Sequence, residues 1–189
     1  MLEDAVIAYG SPTLARLKTG SLFAVRHSDE AALRHEIGRL NDILVPRGVR
    51  LAALHRSGDR TLAYLYRELA LRETLSAPEV QALLLRCGYR VFTVEAALRT
   101  LRRRLETSPG FPHEIGIFLG YPLADVIGFI QNGGRNCLCS GCWKAYANER
   151  EARRTFARLN KCRAVYARRF AEGYPLARLT VAGRPTEPS

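Results

Sequence analysis

Cys137, Cys139 and Cys142 stand close together in the string CLCSGC. A CxxC pair such as Cys139 and Cys142 can place two thiolates on one metal, because the turn between them brings both sulfurs to one side. Zinc and iron–sulfur sites usually take a full set of four ligands. Cys162, twenty residues on, is the candidate for the last place. It also falls on the apolar stripe of an expected helix, where core packing is the ordinary role of a cysteine. No histidine lies nearby to substitute. The metal or redox candidates are therefore Cys137, Cys139, Cys142 and Cys162, with zinc or an iron–sulfur cluster as the cofactor and inert thiols as the alternative. A redox CxxC normally opens a helix, whose positive end lowers the thiol pKa. Here a strand is expected at Trp143 to Tyr146, which weighs against redox chemistry.

His113 and Glu114 form a second constellation. A helix-borne HExxH would bind zinc, but position 117 is Ile117, so that reading fails. What remains is an acid–base or ligand-contacting pair beside a cleft. The plainer alternative is a favourable acid in a first helical turn with a surface histidine before it. Third comes the loop Asn132-Gly133-Gly134-Arg135-Asn136. Its glycines and Arg135 could cradle an anion through backbone amides. Against this, Gly133 reads as a left-handed helix stop, and no helix start evidently comes after it to complete a phosphate site. Fourth are the arginine-rich helix faces, with Arg150, Arg154, Arg158, Lys161 and Arg168 on one stripe. Such a stripe can track phosphates, and a solvated amphipathic face gives the same pattern. Tyr64, Tyr66, Trp143 and Tyr146 could stack on bases if exposed, although strand tyrosines are more often packing residues. No GxSxG, GxxxxGKS or GxGxxG is present, which removes several common enzyme classes.

The elements that must position these groups are legible in part. The first twenty residues look turn-rich, with Gly10, Ser11, Pro12 and Gly20. Leu22 to Arg26 reads as a strand. Ser28 can cap a helix whose apolar face is Leu33, Ile37, Leu40 and Leu44, and Pro46 and Gly48 end it. Residues 49–66 read as a β-hairpin turning at Ser57, Gly58 and Asp59. Residues 67–132 read as a run of short helices. Pro78 opens one and Gly88 closes it. Thr93 caps the next, with Val94, Ala97, Leu98, Leu101 and Leu105 on one face. Residues 112–119 and 122–132 should be two apolar core helices joined at Gly120-Tyr121. A further strand is expected over 142–147 and the longest helix over 149–171. Leu176 to Val181 could add an edge strand. The expected fold is α+β: a small, mainly antiparallel sheet from residues 21–26, 49–55, 60–66 and 142–147, packed by several helices. We expect one domain over 1–181 and a disordered tail over 182–189.

Bulk composition sets the remaining bounds. The chain has 189 residues, enough for a sizeable core, with 47% hydrophobic and 25% charged residues. No apolar run is long enough to span a membrane. Glu3 and Asp4 at the start do not read as a secretory signal. With an odd count of five cysteines, this argues for reduced thiols and a cytoplasmic location. The net charge of +11 fits a nucleic-acid partner. Lys18, Lys144 and Lys161 are the only lysines, so the excess of arginine also fits a simple coding bias.

The stretch FPHEIGIFLGYPLADVIGFIQNGG, followed by CWKAY, resembles the domain-of-unknown-function family 3793 of anaerobic bacteria. The N-terminal SPTLARLKTGSLF and the later LNKCRAVYARRFAEG fit the same pattern, so the resemblance runs from about Ser11 to Val181. The family has no established activity. The resemblance implies gene neighbours of flavodoxin and iron-uptake type, and hence a redox partner such as a flavodoxin. Three readings result, in order. The first is a ligand-binding or enzyme-like domain with a pocket lined by His113, Glu114, Tyr121, Asn132 and Arg135. The second is a metal- or redox-linked accessory protein using the cysteines. The third is a nucleic-acid binder using the basic helices.

Overall fold

The computed structural model describes residues 2–183. The fold is α+β, and the chain divides into two compact units. One contains residues up to Leu69 together with Cys162 onward, and the other runs from Ala70 to Lys161.

In the first unit, strands β1 (Gly20–Arg26), β2 (Val49–Ser57) and β3 (Arg60–Arg67) form an antiparallel sheet in the order β1-β3-β2. The expected hairpin is β2–β3. Its register pairs Leu51 with Leu65 and Ala53 with Ala63, then shifts at a bulge between Ala53 and His55. Strand alternation puts Phe23, Val25, Val49, Leu51, Ala63 and Leu65 into one core. On β3 the intervening Tyr64 and Tyr66 are also buried, their rings stacked 4.9 Å apart. Helix α2 (Glu30–Leu44) contributes Leu33, Leu40 and Leu44 to the core. Its cap is Asp29 rather than Ser28: the Asp29 carboxylate accepts from the Ala31 amide at 2.8 Å. A carboxylate there also meets the positive end of the helix dipole, which a serine hydroxyl does not. Gly48, left-handed at φ 74°, closes the 3-10 turn Val45–Arg47 at the end of α2. From α2, the Asn41 side-chain amide donates to the Leu51 carbonyl and accepts from the Leu51 amide, satisfying the outer edge of β2 as a neighbouring strand would.

Two further expectations for this unit are corrected. The turn-rich N-terminus is helix α1 (Leu2–Leu14), with Gly10, Ser11 and Pro12 inside its last turns. Leu2, Val6, Ile7 and Leu14 are buried in the sheet's core, and that burial outweighs the local breakers. The expected edge strand at Leu176–Val181 is instead a short helix, Leu176–Leu179, whose leucines both enter the core. Arg67, itself buried, clamps the chain just beyond this helix. It donates to the carbonyls of Thr13, Leu14 and Val181 at 2.6–2.7 Å, while the Val181 amide bonds Leu14. Burial, aided by the charge of Arg16, lowers the Arg67 pKa to about 10, so it stays a cation at neutral pH. Of the expected tail, residues 184–189 lie outside the described residues.

The second unit is mainly helical. The end of α3 (Glu68–Ser76), then α4 (Pro78–Arg86), α5 (Val94–Thr107), α6 (Ile115–Phe118) and α7 (Leu123–Asn132) form the expected run of short helices. Pro78 stands in the first turn of α4, and the Thr93 hydroxyl caps α5 by accepting from the Ala96 amide. Leu84, Tyr89, Leu101, Ile117 and Phe118 are essentially inaccessible. Burying one such leucine is worth about 2 kcal/mol. Residues 142–147 do not join the sheet. They belong to a separate two-stranded hairpin, β4 (Cys139–Ser140) and β5 (Lys144–Ala145), which pairs Cys139 with Ala145. The chain then enters α8 (Glu149–Ala171), as the apolar stripe requires.

Candidate functional site

The segment from Phe111 to Tyr146 builds a cleft in the second unit. Its first part holds the four-residue helix α6, buried throughout. Pro122 starts α7, its carbonyl accepting from the amides of Asp125 and Val126. Gly133, left-handed at φ 56°, stops α7 as the sequence suggests.

Asp125, in the first turn of α7 and 4% exposed, organises the rest. One carboxylate oxygen accepts from the amides of Tyr146 and Ala147 at 2.7 and 3.0 Å. The other accepts from the Trp143 indole at 2.8 Å. The amides that a longer β5 would offer to a neighbouring strand are thus given to a side chain, which is why the hairpin stops at Ala145. Two glycines permit the close approach. A Cβ on Gly128 would lie 2.5 Å from the Tyr146 Cβ, and one on Gly141 would overlap the Phe156 ring. The Tyr146 hydroxyl is buried with no hydrogen-bond partner among the described residues.

The indole fixed by Asp125 becomes one wall of the cleft, which has a volume of about 400 Å³. Trp143 stacks on Tyr121 at 5.0 Å and meets Phe156 edge-on at 4.6 Å. The Tyr121 hydroxyl donates to the Cys142 carbonyl at 3.1 Å, tying the ring to the hairpin turn. Also lining the cleft, the His113 ring meets Phe129 edge-on at 4.9 Å. The Lys144 ammonium lies 5.9 Å from the Phe129 centroid and donates to the Gly134 carbonyl at 2.7 Å. An ammonium has three donors, so Lys144 retains capacity for an acceptor.

His113 and Glu114 have different surroundings. His113 is exposed and lines the cleft, whereas Glu114 is 2% exposed and is not part of the lining. Glu114 forms an ion pair with Arg104 and accepts from the Tyr89 hydroxyl at 3.2 Å. Burial and the Glu114 charge push the Tyr89 phenol far up, so it remains a donor. This buried network anchors the chain directly behind His113. Asn132 bonds back to the Gly128 carbonyl of its own helix at 2.8 Å, and Arg135 is exposed; neither lines the cleft. Of the five residues expected around one pocket, the structure brings together His113 and Tyr121.

The cysteines are dispersed in role. Cys139 is buried in a small core with Ala145, Ala152 and Phe156, against which Cys142 and Trp143 pack. Cys142 also lines the cleft. Cys137 is half-buried, and Cys162 is buried in the helix stripe. No disulfide joins any of the five. Among the described residues, no three of His, Cys, Asp and Glu group so as to hold a metal ion.

Asp125, Phe129 and Lys144 are site residues that the sequence does not single out. An acid in a first helical turn is ordinarily read as a dipole effect. The partners of Asp125 lie 18 to 22 residues further along the chain. The apolar richness of 122–132 is the one available signal, since it marks that helix as facing something other than solvent.

No curated protein and no solved structure matches the chain. A family model described as "Protein of unknown function (DUF3793)" matches residues 6–180, nearly the whole chain, and the protein belongs to that family.

Proposed function

We propose that the second unit binds a small, flat, largely apolar molecule that carries a hydrogen-bond acceptor or a negative charge. The observation that carries this reading is the Tyr121–Trp143 wall, oriented by a carboxylate whose two oxygens are both engaged by N–H donors. Aromatic faces favour flat partners. With Asp125 occupied, the polar lining offers mainly donors: the Lys144 ammonium, the Ser140 hydroxyl and, by tautomer, His113. A few polar groups in a mostly apolar concavity are the usual make-up of a small-molecule site. No described helix is long and apolar enough to cross a membrane. With no cysteine in a disulfide, the chain fits a reducing compartment such as the cytoplasm.

Trp143 is the only tryptophan, so its emission reports on the cleft alone. Titrating the full chain with benzoate, 4-methylbenzoate and 4-ethylbenzoate, none of which emits in the tryptophan band, should change that emission, with the larger acids binding more tightly. Tyr121→Ala should weaken binding by about fivefold to tenfold, the worth of one stacking contact. If none of the three acids perturbs Trp143 at millimolar concentration, the reading fails.

A further inference from the structure

A second concavity lies elsewhere in the helical unit. Arg90, Arg99 and Arg103 line a depression of about 450 Å³ together with Gly88, Val91 and Thr100. Arg99 and Arg103 lie four apart on α5 and so share one face, while Arg90 approaches from the loop before the helix. All three are exposed. Only Arg99 has an ion pair, an i,i+4 contact with Glu95. Both of its partners are mostly in solvent, at 63% and 82% exposure, so the pair neutralises little. Arg90 and Arg103 have no ion pair among the described residues. Three like charges around one hollow repel one another, and an anion held between them removes that repulsion. Guanidinium groups offer paired N–H donors that match phosphate oxygens.

We propose that this depression holds the phosphate backbone of a nucleic acid. The hollow is open and its cations lie on an exposed helix face, which suits a strand passing across better than a small molecule held inside. No aromatic side chain lines it, so bases have nothing to stack on and contact is to phosphates. The chain's net charge of +11 steers a polyanion toward the protein. This site is independent of the aromatic cleft, and Trp143 emission is not its readout.

The test is fluorescence anisotropy of the full chain with a labelled 20-base-pair DNA duplex and, separately, a single-stranded RNA, from 50 to 200 mM salt. Arg90→Gln with Arg103→Gln should weaken binding about tenfold at low salt. It should also lower the slope of log affinity on log salt by about 0.9 per lost phosphate contact for the duplex. The charge-matched control is Arg150→Gln with Arg154→Gln on the exposed face of α8. It should cost less and leave the slope nearer its original value. All four positions are exposed, so both variants should fold, which circular dichroism checks. Equal losses from the two variants would show only bulk charge and overturn the proposal. So would the absence of binding at 50 mM salt. Arginine-dependent binding to phosphatidylserine vesicles or inorganic phosphate, without binding to either nucleic acid, would overturn it as well.

Discussion

In the first unit a buried guanidinium, Arg67, donates to three backbone carbonyls; in the second a buried carboxylate, Asp125, accepts from two backbone amides and an indole. Both charges fasten irregular chain that no ladder of main-chain bonds could hold. Their consequences differ. Arg67 gathers the end of α1 and the stretch at Val181, with both leucines of the short C-terminal helix in the neighbouring core, so its effect is closure. Asp125 commits one oxygen to the exit of a hairpin and the other to an indole that faces a cleft, so its effect is an oriented wall. A single buried charge satisfied by dipoles can therefore seal a core or hold a site open, depending on whether its partners are chain ends or a side chain.

The largest effect should come from removing the two clamps. Asp125→Ala strands three donors at a nearly inaccessible position and should cost about 3–5 kcal/mol in urea unfolding. Arg67→Met should cost somewhat less, about 2–4 kcal/mol, because losing the cation also relieves the burial that depresses its pKa. Only the Asp125 variant should also shift Trp143 emission. If Arg67→Met shifts it equally, the contrast drawn between the two clamps is wrong.

Glycines give the next contrast. Gly128→Ala drives a methyl to within 2.5 Å of the Tyr146 Cβ and should destabilise by about 1–3 kcal/mol. Gly38→Ala, in the middle of α2 with nothing within 4 Å of its Cβ, should instead stabilise by about 0.5–1 kcal/mol. Thermal melts that move the two in the same direction would refute the close-approach account of Gly128.

The smallest effect concerns thiol reactivity. Burial and the Glu114 charge push the Cys87 thiol up. A raised thiol pKa means less thiolate at a given pH, so alkylation of Cys87 by iodoacetamide should be slower than that of glutathione at pH 8 and should accelerate at higher pH. Glu114→Gln removes one of the two causes and should speed it. An unchanged rate in that variant would mean that Glu114 and Cys87 are not electrostatically coupled.

Much of the fold was legible because its determinants are local. The apolar stripe that carries Cys162 marks α8, Thr93 and the apolar face after it mark α5, and the Ser57-Gly58-Asp59 turn marks the β2–β3 hairpin. Each depends on residues a few positions apart, which is the range of capping, helical periodicity and turn geometry. The candidate site was legible only as a segment. The 111–134 stretch points to where the cleft lies, but of His113, Glu114, Tyr121, Asn132 and Arg135, all expected around it, only His113 and Tyr121 line it.

Tertiary structure decided the remainder. Whether Gly10-Ser11-Pro12 breaks α1 depended on the sheet that its leucines reach. Where strand β5 stops within 142–147 depended on Asp125, about twenty residues earlier, taking the amides of Tyr146 and Ala147 that a longer strand would use. Whether neighbouring His113 and Glu114 share surroundings depended on Arg104 and Tyr89 drawing one of them inward. Composition and spacing fix the chain's local preferences, but a buried charge selects its partners by proximity in space, and proximity exists only once the chain has folded.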